Sequence, residues 1–320
     1  MAFSKKSRIV QEYLLRFGLR LEVFEFSEST KTAQQAADAI GCELGQIVKS
    51  LVFRDRDQAL LFLVSGKNTL DVKKISREQK LDISKADEVE SMGQSVFAKL
   101  GAPHFVFNNA GVGAGGLIWE TSAKDWDWVL GVNLMGVVHG VRLFTPMMLD
   151  AAKKDPAYQG HIVNTASMAG LLNAPNMGVY NVSKHAVVSL TETLYQDLRL
   201  VTDQISASVL CPFFVPTGIS QSHRNKPSDM HDSNGKPTKS QLIGQAMSDK
   251  AVSSGKISAA EVAQKVFDAI AADQFYIYSH PKALASVQTR MEDVVMLRNP
   301  TDPFAGKPEI GASLKAALRT

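Results

Sequence analysis

Apolar and polar positions follow two rhythms along the chain, and the change falls near Leu81. In the first part, residues 20–26 alternate as a half-buried strand does. Thr32 can cap an alanine-rich helix over residues 33–40 that stops at Gly41. Two apolar runs, residues 47–53 and 59–64, flank a polar turn at 54–58 and predict an antiparallel hairpin. A helix over residues 71–80 follows, with Ser76 and Gln79 at capping-box spacing. Together these predict a small α+β unit over residues 1–80 with marginal burial. From residue 81 the rhythm becomes α/β. A polar helix at 85–100 leads into an apolar strand at 104–107, and a long helix starts at Ser122 with Asp125 as its capping-box partner. Strand 161–165, helix 177–200, strand 206–210, helix 259–271 and strand 275–277 complete the series. Short apolar strands alternating with helices predict a parallel, doubly wound sheet. Polar residues crowd positions 220–240, which predicts a mobile loop, either plain surface or a lid over a pocket.

Composition adds exclusions. The 320 residues are 45% hydrophobic and 21% charged, a globular balance. The 35 basic and 32 acidic side chains leave a net charge of +3, too small and dispersed to point to nucleic acid. Cys42 and Cys211 cannot build a disulfide framework or a four-ligand zinc site, so no metal is expected. The longest greasy stretch, residues 129–141, is interrupted by Asn133 and His139 and falls short of the ~20 residues of a membrane span. Lys5, Lys6 and Arg8 precede no apolar signal core, and the expectation is a soluble cytoplasmic protein without a membrane partner.

Candidate chemistry gathers in the second part. Tyr180 and Lys184 lie four apart on a predicted helix and share one face. Ser167 lies just past the end of the strand at 161–165, where doubly wound sheets place their ligands. An ammonium close to a phenol favours the phenolate and lowers its pKa from ~10. Such a tyrosine can exchange a proton with an alcohol or carbonyl, and a serine hydroxyl beside it can hold the reacting oxygen.

The surroundings add a pattern. Asn108-Asn109-Ala110-Gly111 closes the strand at 104–107, and Gly131-Val132-Asn133 lies in the next helix. Ser167, Tyr180 and Lys184 follow in order, then Cys211-Pro212-Phe213-Phe214-Val215-Pro216-Thr217. Together these resemble the short-chain dehydrogenase/reductase family in its classical form, over about residues 81–300. The resemblance implies an α/β fold with an incomplete Rossmann-type doubly wound sheet, and hydride transfer between NAD or NADP and a small-molecule alcohol or carbonyl. It implies that Tyr180 is the general acid/base, that Lys184 lowers the Tyr180 pKa and holds the nicotinamide ribose, and that Ser167 binds the substrate oxygen. By the same resemblance Asn133 holds a relay water, Asn109 and Gly111 close the sheet under the cofactor, and Val215 and Thr217 meet the carboxamide. Asp82 matches the family's adenine-contacting acid and reads equally well as a helix N-cap. The family's helices at 122–148 and 177–200 imply a homodimer or homotetramer.

The family opens with a strand, a glycine-rich turn and a helix, and no such run lies before Leu81. Gly111, Gly113 and Gly116 satisfy G-x-G-x-x-G as letters, but no helix is predicted at the third glycine, so this is not read as the pyrophosphate turn. In place of the family's opening, residues 9–80 resemble the start of the aminoacyl-tRNA deacylase family related to prolyl-tRNA editing domains. That resemblance rests on residues 32–40, Gly45 to Phe53, Leu63-Val64-Ser65-Gly66 and Leu70 to Lys74. It places Lys49 on that family's active-site lysine, and Lys49 also reads as an ordinary half-exposed strand residue. The chain thus reads as a fusion of two incomplete domains, residues 1–80 and 81–320. Deacylase activity of the first part, or a catalytically silent fusion, are the competing functions. The hairpin is expected to form a separate small unit and not to rebuild the glycine turn.

Overall fold

The computed structural model describes Glu12 and residues 48–55, 58–65, 82–231 and 236–319. The chain resolves into two compact units, Met1–Lys80 and Leu81–Thr320. In the first, β1 (Val48–Asp55) and β2 (Gln58–Ser65) pair antiparallel from Val48 opposite Ser65 to Asp55 opposite Gln58. The hairpin is as predicted, but pairing runs into the expected turn and leaves only residues 56 and 57 between the strands. The predicted strand at 20–26 and helices at 33–40 and 71–80 lie outside the described residues.

In the second unit α1 (Ala86–Leu100) leads to β3 (Phe105–Asn108). Next come α2 (Ala123–Leu130), a π turn (Gly131–Met135) and α3 (Gly136–Lys154), running on as one rod. Then follow β4 (Gly160–Thr165), α4 (Gly178–Val201) and β5 (Ile205–Cys211). After these come α5 (Lys239–Ser253), α6 (Ala259–Ala271), β6 (Tyr276–Tyr278), α7 (Leu284–Val295) and α8 (Pro308–Arg319). The sheet order is β3-β4-β5-β6, every pair parallel. This is the α/β, doubly wound architecture, shortened on the β3 side among the described strands.

Parallel strands covered on both faces read as near-continuous apolar runs, and the core divides between the two faces of the sheet. Val106, Ile162 and Ala207 stand side by side across the sheet and pack with Met148 and Ala152 of α3 and Leu194 and Leu198 of α4. The opposite face brings Val163, Leu210 and Ile277 against Val262 and Val266 of α6. Residues 123–154 are long and apolar enough, by length and composition, to cross a membrane, and here Val129, Val137 and Met148 are core side chains. The Ser122–Asp125 capping box forms as predicted. Among its described residues, the crowded polar region carries more regular structure than the loop that was expected. Short 3-10 turns occupy Gly218–Asn225 and Ser228–Met230, and α5 begins at Lys239 behind a Thr238–Gln241 capping box. An apolar cleft of about 330 Å³ runs along β3, lined by Ile83, Val89, Met92, Phe107 and Asn109 among others.

Candidate active site

The site grows from the carboxyl ends of β3 and β4. Past Thr165 the backbone stays extended at Ser167 (φ −175°), whose Oγ accepts the amide of Ala169 and caps the turn Met168–Gly170. Ser167 Oγ also lies 3.4 Å from the carbonyl of Pro212, in the loop after β5. Gly170 allows this turn to lie directly on α4, since a Cβ there would stand 2.6 Å from the Lys184 carbonyl oxygen. That contact sets Ser167 beside the first turns of α4, which carry Tyr180 and Lys184 on one face.

Both side chains are buried, Tyr180 at 9% exposure and Lys184 at 2%. The Lys184 ammonium donates to the Thr165 carbonyl at 3.0 Å and lies 5.8 Å from the centre of the Tyr180 ring. Burial pushes the Tyr180 phenol above its ordinary value, and the Ser167 hydroxyl pulls it back. Burial brings Lys184 down to about 8, with Cys211 acting the other way. Lys184 is not among the causes of the Tyr180 shift. Desolvation dominates both groups, and the opposing pull on the phenol comes from Ser167.

Asn133 is fully buried within the π turn. The wide turn presents its amide to the loop after β3, where Oδ1 accepts from Val112 N at 2.7 Å and Nδ2 donates to Val112 O at 3.0 Å. The second Nδ2 hydrogen goes to Ser183 Oγ at 3.0 Å. Both amide hydrogens are thus spent on protein acceptors, so a relay water would have to rest on another atom. Gly111 faces this group, for a Cβ there would lie 3.4 Å from both Asn133 Oδ1 and Lys184 Nζ. Asn109 joins through Oδ1, which accepts from Thr165 Oγ1 at 2.9 Å.

Asn109, Gly111, Asn133, Ser167, Tyr180 and Lys184 are thus linked around one point. Three other candidates are engaged elsewhere. The Val215 side chain belongs to the core with Val262 and Val266, and Thr217 Oγ1 accepts the Ile219 amide at 3.4 Å. Asp82 Oδ1 accepts from the amide and hydroxyl of Ser84 at 3.0 and 2.7 Å, shaping the entry to α1, whose N-cap position is Lys85. The Gly111–Gly116 run opens no helix; the next begins at Ala123. Ser183 and Gly170 were not marked by the sequence reading, although Ser183, three residues after Tyr180, could have been found from helical spacing alone.

A parallel α/β sheet with a buried tyrosine–lysine pair and a serine at its strand ends defines a dehydrogenase-like site. The chain belongs to the short-chain dehydrogenase family, whose profile matches residues 62–228. A second profile, the aminoacyl-tRNA editing domain, matches residues 27–96. The chain is 31% identical over 216 residues to a CLA biosynthesis dehydrogenase/reductase of Lactiplantibacillus plantarum, covering 67% of this chain and 73% of that one. It is 35% identical over 142 residues to a C alpha-dehydrogenase of Sphingobium sp., covering 44% of this chain and 42% of the relative. A short chain dehydrogenase/reductase from Burkholderia phymatum, solved in complex with NAD, is 52% identical, with a TM-score of 0.66 over 69% of this chain and 77% of that one.

Proposed function

We propose that this protein is an NAD(P)-dependent oxidoreductase that interconverts a small alcohol and its carbonyl compound. The observation that carries the reading is the buried Tyr180 held between the Ser167 turn and Lys184 at the strand ends. The residues fit the nicotinamide end of a dinucleotide. Lys184 uses one of its three N–H donors on Thr165 among the described residues, leaving two for ribose hydroxyls, and Gly111 keeps the space in front of it free of side chain. The NAD-bound Burkholderia phymatum relative supports this cofactor class.

When bound, the nicotinamide supplies or accepts the hydride at the reacting carbon. Tyr180 gives its phenolic proton to the carbonyl oxygen in reduction and takes it back from the alcohol in oxidation. Ser167 donates its hydroxyl to the same oxygen and polarises it. Lys184 holds positive charge beside the phenolate left on Tyr180. Asn133 fixes the Val112 loop against the helix. We take residues 1–80 as a partial editing-domain-like unit and residues 81–320 as the dehydrogenase domain.

Titration with NADH and NADPH, followed by nicotinamide fluorescence, and a panel of carbonyl compounds test the reading. Tyr180→Phe should retain cofactor binding and lose turnover at least ~100-fold, the scale of general acid catalysis. Absence of binding by either cofactor at millimolar concentration sinks the proposal. A second reading, hydrolysis of mischarged aminoacyl-tRNA, is favoured by the editing-domain match and by Lys49 lying on β1 opposite Val64. Release of amino acid from mischarged tRNA tests it.

A further inference from the structure

We propose that Ser183 is a positioning residue of this site: its hydroxyl ties the Asn133 amide to the carbonyl of Tyr180 and so fixes the phenol relative to the Gly111–Val112 loop. Ser183 is completely buried. Its Oγ donates to Tyr180 O at 2.8 Å and accepts from Asn133 Nδ2 at 3.0 Å. Asn133 in turn holds both backbone groups of Val112. One continuous path of hydrogen bonds therefore runs from the loop after β3, through the π turn, to the peptide of the acid/base residue. Every side-chain member of that path is buried.

Helix stability does not explain the serine. A hydroxyl bonding back to a carbonyl inside a helix is neutral or unfavourable for the helix, and alanine is both nearly isosteric and the better helix former. What only the hydroxyl provides is an acceptor for Asn133, whose amide hydrogen would otherwise be buried without a partner. Ser183 touches no reacting atom, and it acts through Asn133 and through the Tyr180 backbone.

The inference rests on the proposed role of Tyr180, and the test separates the two. Ser183→Ala, Asn133→Ala and the double variant are compared by carbonyl reduction with NADH. They are also compared by NMR of ¹³Cζ-labelled tyrosine, with the Tyr180 signal assigned from Tyr180→Phe. Ser183→Ala should lower kcat about 10- to 100-fold, the scale of a misplaced reacting group, while KM for NADH stays within about threefold. The double variant should match Asn133→Ala, because the two act as one unit. The Tyr180 resonance should move in all three, with the other tyrosines unchanged. Ser183→Cys keeps a weak donor and acceptor, should lie between wild type and alanine, and carries the same test if the alanine variant does not fold. Wild-type kcat and an unmoved Tyr180 signal in Ser183→Ala, or additive effects in the double variant, overturn the proposal. If no variant, wild type included, reduces any carbonyl, the oxidoreductase reading fails and the NMR arm alone decides the role of Ser183.

Discussion

Replacing Lys226 by methionine measures how residues 218–231 are held beside the glycine loop. Lys226 Nζ lies 2.5 Å from Asp125 Oδ1, with the two side chains 10% and 18% exposed, and 5.8 Å from the Trp128 ring centre. Burial pushes the Asp125 carboxyl up, yet hydrogen bonds from Lys226 and Ser122 and the Lys226 charge outweigh it and hold it below its ordinary 3.8. Removing one partner of a fully buried pair costs about 3–5 kcal/mol, whereas an exposed pair is worth about 0–1. This pair lies between, and Asp125 keeps its Ser122 bonds, so Lys226→Met should cost about 1–2 kcal/mol. Asp125→Ala also breaks the capping box, adding about 1 kcal/mol. Urea unfolding of both variants and the double variant yields the coupling, expected at about 1–2 kcal/mol, and limited proteolysis should cut Lys226→Met faster within residues 218–231. The sign in pH follows from the depressed Asp125: its stabilisation is present above 3.8 and is lost as pH falls through the lower folded value. The coupling should therefore be flat from about pH 5 to 8. A coupling below about 0.3 kcal/mol would remove any role for the pair.

Lys184→Met should raise thermal stability near neutral pH while abolishing turnover, because a buried ammonium is replaced by an apolar chain of similar length. The folded pKa of about 8 lies below the ordinary 10.5, so wild-type stability should climb between those values as the folded state sheds a proton the unfolded state keeps. Melting curves of wild type minus Lys184→Met across that range check the slope, and a flat difference contradicts the burial argument. Gly170→Ala should cost about 1–3 kcal/mol, since its Cβ would press on the Lys184 backbone, 2.6 Å from its carbonyl oxygen, and on the short, branched Val188 side chain at 2.8 Å. Denaturant unfolding measures it, and a change under about 0.5 kcal/mol would mean that the Ser167 turn does not rest on α4 as described.

Strands β4 and β5 were readable because residues buried on both faces leave short, mostly apolar runs, β3 and β6 because Val106 and Ile277 sit buried within short apolar stretches, and Ser122 with Asp125 announced α2 chemically. The π turn within the long helix was not readable. The apolar sequence Gly131–Met135 continues the pattern, and only the tertiary demand that Asn133 reach Val112 distinguishes a π turn from an α turn. Helix α5 carried a visible Thr238–Gln241 box that the polar crowding masked, while α7 and α8 bury few residues, Asp293 in the first and Gly311 and Leu314 in the second. Tyr180 and Lys184 were readable because their pairing is a matter of helical spacing. The direction of their pKa shifts was not, because spacing fixes which groups meet and burial decides which charge state survives.

That distinction bears on cofactor affinity. The proposed nicotinamide end of the site draws on Gly111, Lys184 and Tyr180. The anion end has no counterpart among the described residues. The apolar cleft along β3 presents mostly side chains such as Val89, Met92 and Phe107. The nearby N-terminus of α1 already carries Asp87 and Glu88 in its first turn and Asp82 before it, with the Lys85 ammonium paired to Asp82 and Glu88. A helix dipole neutralised in this way does not attract a pyrophosphate. Binding should therefore depend on the nicotinamide riboside portion, and reduced nicotinamide mononucleotide should bind within about threefold of NADH, a difference under about 1 kcal/mol. Fluorescence titration of both ligands on the full chain measures the ratio. If NADH binds more than about tenfold tighter, about 1.4 kcal/mol, the dinucleotide's other half has found a cradle outside the described residues, and the affinity argument from α1 and the β3 cleft is wrong.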